Sequence, residues 1–143
     1  MVNCTINYEC DTMQPSLMRL PTITATSEAY VLLSPGYPSS YGPDFVCGWK
    51  FRVESNTGIS ISCMNVDIAG FSKGDGCGGD RLRIIEANTL TDLSYCGPLI
   101  FFSEIFNALP TTPMRFRIKF RSFSRMPKGT GFNCLVQSFS GSK

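Results

Sequence analysis

Chemistry in this chain has to come from cysteines, carboxylates and basic side chains, because its 143 residues include no histidine. That absence removes the imidazole with which a Ser-His-Asp or Cys-His arrangement moves a proton. Two carboxylate pairs remain as acid–base candidates, Asp75 with Asp80 and Asp67 with Glu104. Both read as loop or edge acids that solvation alone explains, so no enzymatic activity is expected. The seven cysteines include no Cys-x-x-Cys pair, and a zinc site would need scattered thiolates. Such a density is better explained by an oxidising compartment. Asn3-Cys4-Thr5 matches the N-glycosylation sequon, with Asn3 as acceptor, which suits a protein on the secretory route. Seven is odd, so one thiol is left over and could link to a second chain.

The basic residues are unevenly placed. Residues 1–104 hold all 11 acids and six bases, a balance of −5, while residues 105–143 hold seven bases and no acid, a balance of +7. Four of those bases, Arg115, Arg117, Lys119 and Arg121, alternate with apolar residues, so on a strand they share one face. Arg81 and Arg83 join them if their strand lies in the same sheet. Four like charges in a row repel one another, and an anionic partner would relieve that. The expected ligand is then an extracellular protein or a sulfated or otherwise anionic glycan. The competing reading is an inert solvated face that resists sticking to other sheets. Nucleic acid is not expected for a disulfide-rich secreted module.

Strands must position these groups. Cys47, Trp49, Phe51 and Val53 alternate with Gly48, Lys50 and Arg52. Asn56-Thr57-Gly58 is turn chemistry. Ile59, Ile61 and Cys63 then point one way, and Val66 and Ile68 resume that face after the register shift a bulge gives. Leu82 and Ile84, then Phe116, Ile118 and Phe120, then Phe132, Cys134 and Val136 mark further strands. Short strands with no convincing helix predict an all-β, disulfide-stapled antiparallel sandwich or jelly roll. A second candidate surface is Leu99-Ile100-Phe101-Phe102 with Ile105 and Phe106; four consecutive large apolar residues cannot all hide on one strand face.

The length allows one domain with a sizeable core. No apolar run is long enough to span a bilayer. Met1-Val2-Asn3-Cys4 lacks the charged and apolar regions of a signal peptide, so the chain reads as a mature or trimmed form. Residues 1–28, with two cysteines and little periodicity, are expected to be an N-terminal extension, and residues 29–140 the folded domain.

In order, Ser34-Pro35-Gly36-Tyr37-Pro38 with Tyr41, Cys47-x-Trp49, Cys77-x-x-Asp80-x-Leu82, Cys96-Gly97, the strand of Phe116, Ile118 and Phe120, and Gly131-Phe132 make the stretch from Tyr30 to Phe139 resemble a CUB domain. Cysteines at 63 and 134 depart from the usual four-cysteine pattern and make it most similar to the CUB modules of arthropod extracellular trypsin-like proteases, including insect ones. The resemblance implies bridges Cys77–Cys96 and Cys63–Cys134, with Cys47 paired to Cys10 or Cys4. Cys10, nearer the sandwich, is the expected partner, which leaves Cys4 for a second chain. It also implies three calcium carboxylates, and these fall at Ala69, Asp80 and Phe123. Only Asp80 remains, so neither calcium nor any other cofactor is expected, with Asp67 or Asp75 the nearest substitutes; Asp80 is expected to accept backbone hydrogen bonds within its own loop. The resulting expectation is a calcium-independent, non-catalytic extracellular interaction module, part of a secreted protease or beside one. The alternative is a free-standing secreted effector (seminal, venom or adhesive) acting by self-association.

Overall fold

The computed structural model describes residues 5–9, 22–25, 29–69, 77, 79–123 and 129–140. Ten strands are found among them: β1 (Thr5–Glu9), β2 (Thr22–Thr24), β3 (Ala29–Leu33), β4 (Val46–Val53), β5 (Thr57–Ile68), β6 (Arg81–Glu86), β7 (Thr91–Tyr95), β8 (Gly97–Asn107), β9 (Met114–Arg121) and β10 (Gly131–Ser140). They form two five-stranded sheets, ordered β1-β3-β10-β5-β8 and β2-β4-β9-β6-β7. Pairing is antiparallel except for β1 on β3 and β2 on β4. Both parallel strands come from the first 28 residues, where an extension was expected. They are short additions to sheet edges, five and three residues long. Among the described residues no helix is long and apolar enough to cross a membrane.

Period-two alternation decides which side chains meet between the sheets. Trp49, Phe51, Ile59, Ile61, Leu82, Ile84, Phe116, Ile118, Phe120, Phe132 and Val136 are all buried there. Aromatic edges lock the layers together: Phe132 of the first sheet lies 6.0 Å from Trp49 and 5.2 Å from Phe120 of the second. In β5 the inward set shifts at Asn65, which has φ +54°, and Val66 and Ile68 return to the core. Opposite that bulge, β10 advances two residues, Gly131 to Asn133, while β5 spans three, Asp67 to Met64. Asn56 turns the chain from β4 into β5 with φ +61°.

Two disulfides lie wholly among the described residues. Cys63 and Cys134 face each other directly across β5 and β10, and both are buried. Cys77 is bonded to Cys96, which joins the loop before β6 to the β7–β8 connection. Cys47 is buried and also disulfide-bonded. Cys4, Cys10 and the sequon at Asn3 lie outside the described residues.

The loop Ser34–Tyr41 is held close to the start of β10. Ser34 donates its N–H to the Phe132 carbonyl at 3.2 Å, and its hydroxyl accepts the Phe132 N–H at 3.0 Å. Gly131 makes this approach possible: its φ is +96°, and a Cβ there would stand 1.9 Å from Ser34 Oγ.

Candidate functional site

The outer face of the second sheet is built by three neighbouring strands, β4, β9 and β6. Because Phe116, Ile118 and Phe120 fill the core, Arg115, Arg117, Lys119 and Arg121 of β9 turn outward. Pairing with β6 sets Arg81 opposite Arg121 and Arg83 opposite Lys119. On the other flank β4 sets Lys50 opposite Arg117 and Arg52 opposite Arg115. All six sequence-predicted bases therefore share one face, and Lys50 and Arg52 extend it. These two were legible as the outward set of β4; what alternation cannot supply is the strand order that makes β4 a neighbour of β9.

The result is two cations at each of four successive levels. The pair sits on β6 and β9 at the first two levels and on β9 and β4 at the last two, so the band crosses the sheet obliquely. Gly48, opposite Lys119, and Ile85, opposite Arg117, carry no charge where the band changes strands. A cleft of about 270 Å³ lies among Val46, Arg81, Arg83, Arg117, Lys119 and Arg121. A larger one of about 680 Å³ runs past Thr22, Lys50, Arg52, Ile85, Arg115 and Arg117.

Two acids temper this field among the described residues. Asp92 takes both Nε (3.2 Å) and Nη2 (2.5 Å) of Arg83, which holds the Asp92 carboxyl below the ordinary carboxylate value and raises the guanidinium. Glu54 meets Arg52 at 3.6 Å, the acid exposed and the arginine half-buried. Lys119, at the centre, is pushed below the usual lysine value by partial burial and then by Arg83 and Arg117. Successive charges on β9 stand about 7 Å apart, so each pair repels by roughly 0.6 kcal/mol in water before salt screens it. A bound anion removes that cost.

A second polar cluster sits at the sheet edge. The buried Asp80 carboxylate accepts the Tyr41 hydroxyl at Oδ2 (2.8 Å) and the Phe123 N–H at Oδ1 (2.8 Å). The Tyr41 oxygen in turn accepts the Ala69 N–H at 2.8 Å. Burial, offset in part by that N–H, and then the adjacent carboxylate raise the Tyr41 hydroxyl well above its ordinary range, so it stays a donor. The chain Ala69–Tyr41–Asp80–Phe123 thus ties the end of β5, the Tyr41 loop, the start of β6 and the end of β9 with hydrogen bonds alone. Asp80 was expected to bond within its own loop; two of its donors lie 39 and 43 residues away.

Of the remaining acids, Asp67 accepts the Thr130 N–H at 3.3 Å. Glu104 accepts the Tyr95 hydroxyl across the sandwich edge, where the Tyr95 ring stacks on Phe102 at 3.7 Å. Asp67 stands opposite Pro98, six residues from Glu104 along β8, so the two carboxylates are not brought together. Asp75 lies outside the described residues. The apolar stretch of β8 divides: Ile100, Phe101 and Ile105 are 87%, 55% and 62% exposed, while Leu99, Phe102 and Phe106 pack against the core.

A family model for the CUB domain matches residues 22–135. The chain belongs to the CUB domain family. CUB domains are extracellular protein-interaction modules, generally without catalysis of their own. The fold is similar to that of the CUB1-EGF-CUB2 region of human MASP-1/3, with TM-score 0.65 and 17% identity over 82% of this chain and 41% of that one. A MASP-1 CUB2 domain bound to Ca²⁺ matches with TM-score 0.60 and 18% identity, over 80% of this chain and 96% of that one. The full extracellular region of zebrafish Gpr126/Adgrg6 matches with TM-score 0.66 and 19% identity, over 85% of this chain, which spans 15% of that one. A search of curated proteins finds no match.

The described residues at this edge do not fit a calcium ion. Calcium takes about six to eight oxygen ligands, several of them carboxylates. Of the three positions the resemblance marks, only Asp80 is a carboxylate, and its two oxygens already receive Tyr41 and Phe123. Ala69 and Phe123 offer backbone only, and at both it is the N–H that points inward. Among the described residues no three Cys, Asp or Glu side chains cluster as a metal site requires.

Proposed function

We propose that this CUB domain is a calcium-independent docking module that captures an anionic extracellular partner on the outer face of its second sheet. The observation that carries the reading is the register, which stacks eight cations from three strands, with two acids paired to them among the described residues. The module works in or beside a secreted trypsin-like protease, a placement supported by the Cys63–Cys134 bridge at the two positions where the sequence resembles arthropod protease CUB modules. A polyanion column tests it. The protein should be retained on dextran sulfate equally in calcium and in EDTA and be eluted by salt, and the Arg117→Glu/Lys119→Glu variant should elute early. Passage through the column at low ionic strength, or retention that EDTA abolishes, defeats the proposal.

The exposed Ile100, Phe101 and Ile105 on edge strand β8, with the odd cysteine count, favour a second reading. In it the chain is a free-standing secreted effector that self-associates, with Cys4 as the interchain link. A disulfide-linked dimer on a non-reducing gel would support that reading.

A further inference from the structure

The basic face has the shape of a track. Its four levels run from Arg81 and Arg121, through Arg83 and Lys119, then Arg117 and Lys50, to Arg115 and Arg52. From Arg121 to Arg115 the strand advances six residues, or about 20 Å, with a charged level every 7 Å or so. A compact anion meets one or two levels and leaves the others repelling. Only an extended ligand with repeated negative charge can meet all four.

The face also lacks what a protein partner uses. Protein interfaces place aromatic and aliphatic anchors at their centre and keep charges toward the rim. Here the centre is Lys119 and Arg117, and Val46 is the one exposed large hydrophobic on the strands of this sheet among the described residues. An anionic membrane would be served by any basic patch and sets no spacing. A bound segment must therefore be polar, densely charged and linear. Anions of that kind in the extracellular space are sulfated polysaccharides.

Resting on the anionic-docking reading above, we infer that the partner is a linear sulfated glycan lying along β9, obliquely from the Arg81–Arg121 end to the Arg115–Arg52 end. The two clefts are then successive subsites of one track, since Arg117 lines both. Arg83, held by Asp92, borders the first subsite.

Size-defined heparin oligosaccharides test this by calorimetry at fixed ionic strength, beside poly-glutamate of matched charge, phosphatidylserine vesicles and inorganic sulfate. Affinity should rise with oligosaccharide length and level off once the chain covers the four levels. Arg81→Glu and Arg115→Glu, at opposite ends, should each weaken the long oligosaccharide by about tenfold, because each replaces an attraction with a repulsion. A short oligosaccharide should lose less from either single change. Arg81→Gln and Arg115→Gln, with unchanged melting temperatures, should give the same pattern at smaller amplitude. Tighter binding of poly-glutamate or of vesicles overturns the glycan assignment and leaves anionic docking standing. Competition by millimolar sulfate, or affinity independent of length, overturns the track. Failure of every polyanion to bind removes the docking reading as well.

Discussion

Removing one oxygen atom tests whether hydrogen bonds alone hold the Asp80 edge. In Tyr41→Phe the ring keeps its edge-on contact with Phe120, at 5.0 Å, and only the hydroxyl is lost. Asp80 then loses a charge-assisted bond inside the protein, worth about 1.5–3 kcal/mol, and the Ala69 N–H loses its acceptor, worth about 0.5–1.5 kcal/mol. The expected loss is about 3 kcal/mol. With an unfolding entropy of about 2.1 cal/mol/K per residue, a chain of 143 residues should melt about 10 °C lower. Scanning calorimetry of both proteins in calcium and in EDTA reads it out. The wild-type melting temperature should be the same in the two buffers. The sign of the pH dependence follows from the raised Tyr41 value: its contribution is complete below the ordinary value of 10.0 and declines as pH rises above it. The gap between wild type and variant should therefore narrow above pH 10. A fall of less than about 3 °C, or a wild type that calcium stabilises, would refute the argument that donors have taken the place of a cation.

Three further outcomes follow from the same geometry. Replacing Cys63 and Cys134 by alanine opens a loop of 71 residues and should cost about 4 kcal/mol, read as a lower denaturant midpoint. Gly131→Ala should prevent folding or cost more than about 3 kcal/mol, because the new Cβ meets Ser34, whereas Gly97→Ala, which also has positive φ but open space around it, should cost only about 1 kcal/mol; melting curves separate them. Glu86 is buried, and although burial raises its carboxyl, the Thr89 hydroxyl and the N–H groups of Asn88 and Thr89 together hold it below its ordinary value of 4.5. Its stabilisation is therefore present above that value and lost as pH falls below it, so Glu86→Gln should flatten the acid limb of a stability–pH curve.

What the sequence made legible is what lies within a few residues of itself. Alternation placed Trp49, Phe51, Ile61, Phe116, Ile118, Phe120 and Val136 inward, because a half-buried strand writes its burial at period two. It failed at β8, where Ile100 and Phe101 are both exposed and the run of large apolar residues has no period, so an eleven-residue edge strand read only as a patch. It failed again at β1 and β2, whose place depends on parallel pairing with strands about 24 and 28 residues further on. The basic face was half visible. Arg115 to Arg121 declare themselves on one strand, whereas Lys50 and Arg52 join them only through sheet order, a fact about distant chain segments. Asp80 shows the same limit. The resemblance marked it as a calcium-ligand position, but two of its donors come from residues 39 and 43 positions away.

The two departures of this domain belong to one change of chemistry. An edge with three carboxylates needs a cation to hold it, and once held it offers negative charge to a basic partner. With Ala69 and Phe123 in two of those places, one carboxylate remains, and the Tyr41 hydroxyl and the Phe123 N–H each donate to it. That edge then has little charge left to present. The charge the described residues do present has the opposite sign and lies elsewhere, on the outer faces of β4, β6 and β9, supported by the core between the sheets and by the bridges. On this reading, calcium level should not switch the module on or off, and ionic strength should, since exposed charges are screened within about 8 Å at physiological salt. A partner engaged this way would be held by many weak contacts along a track and released by salt.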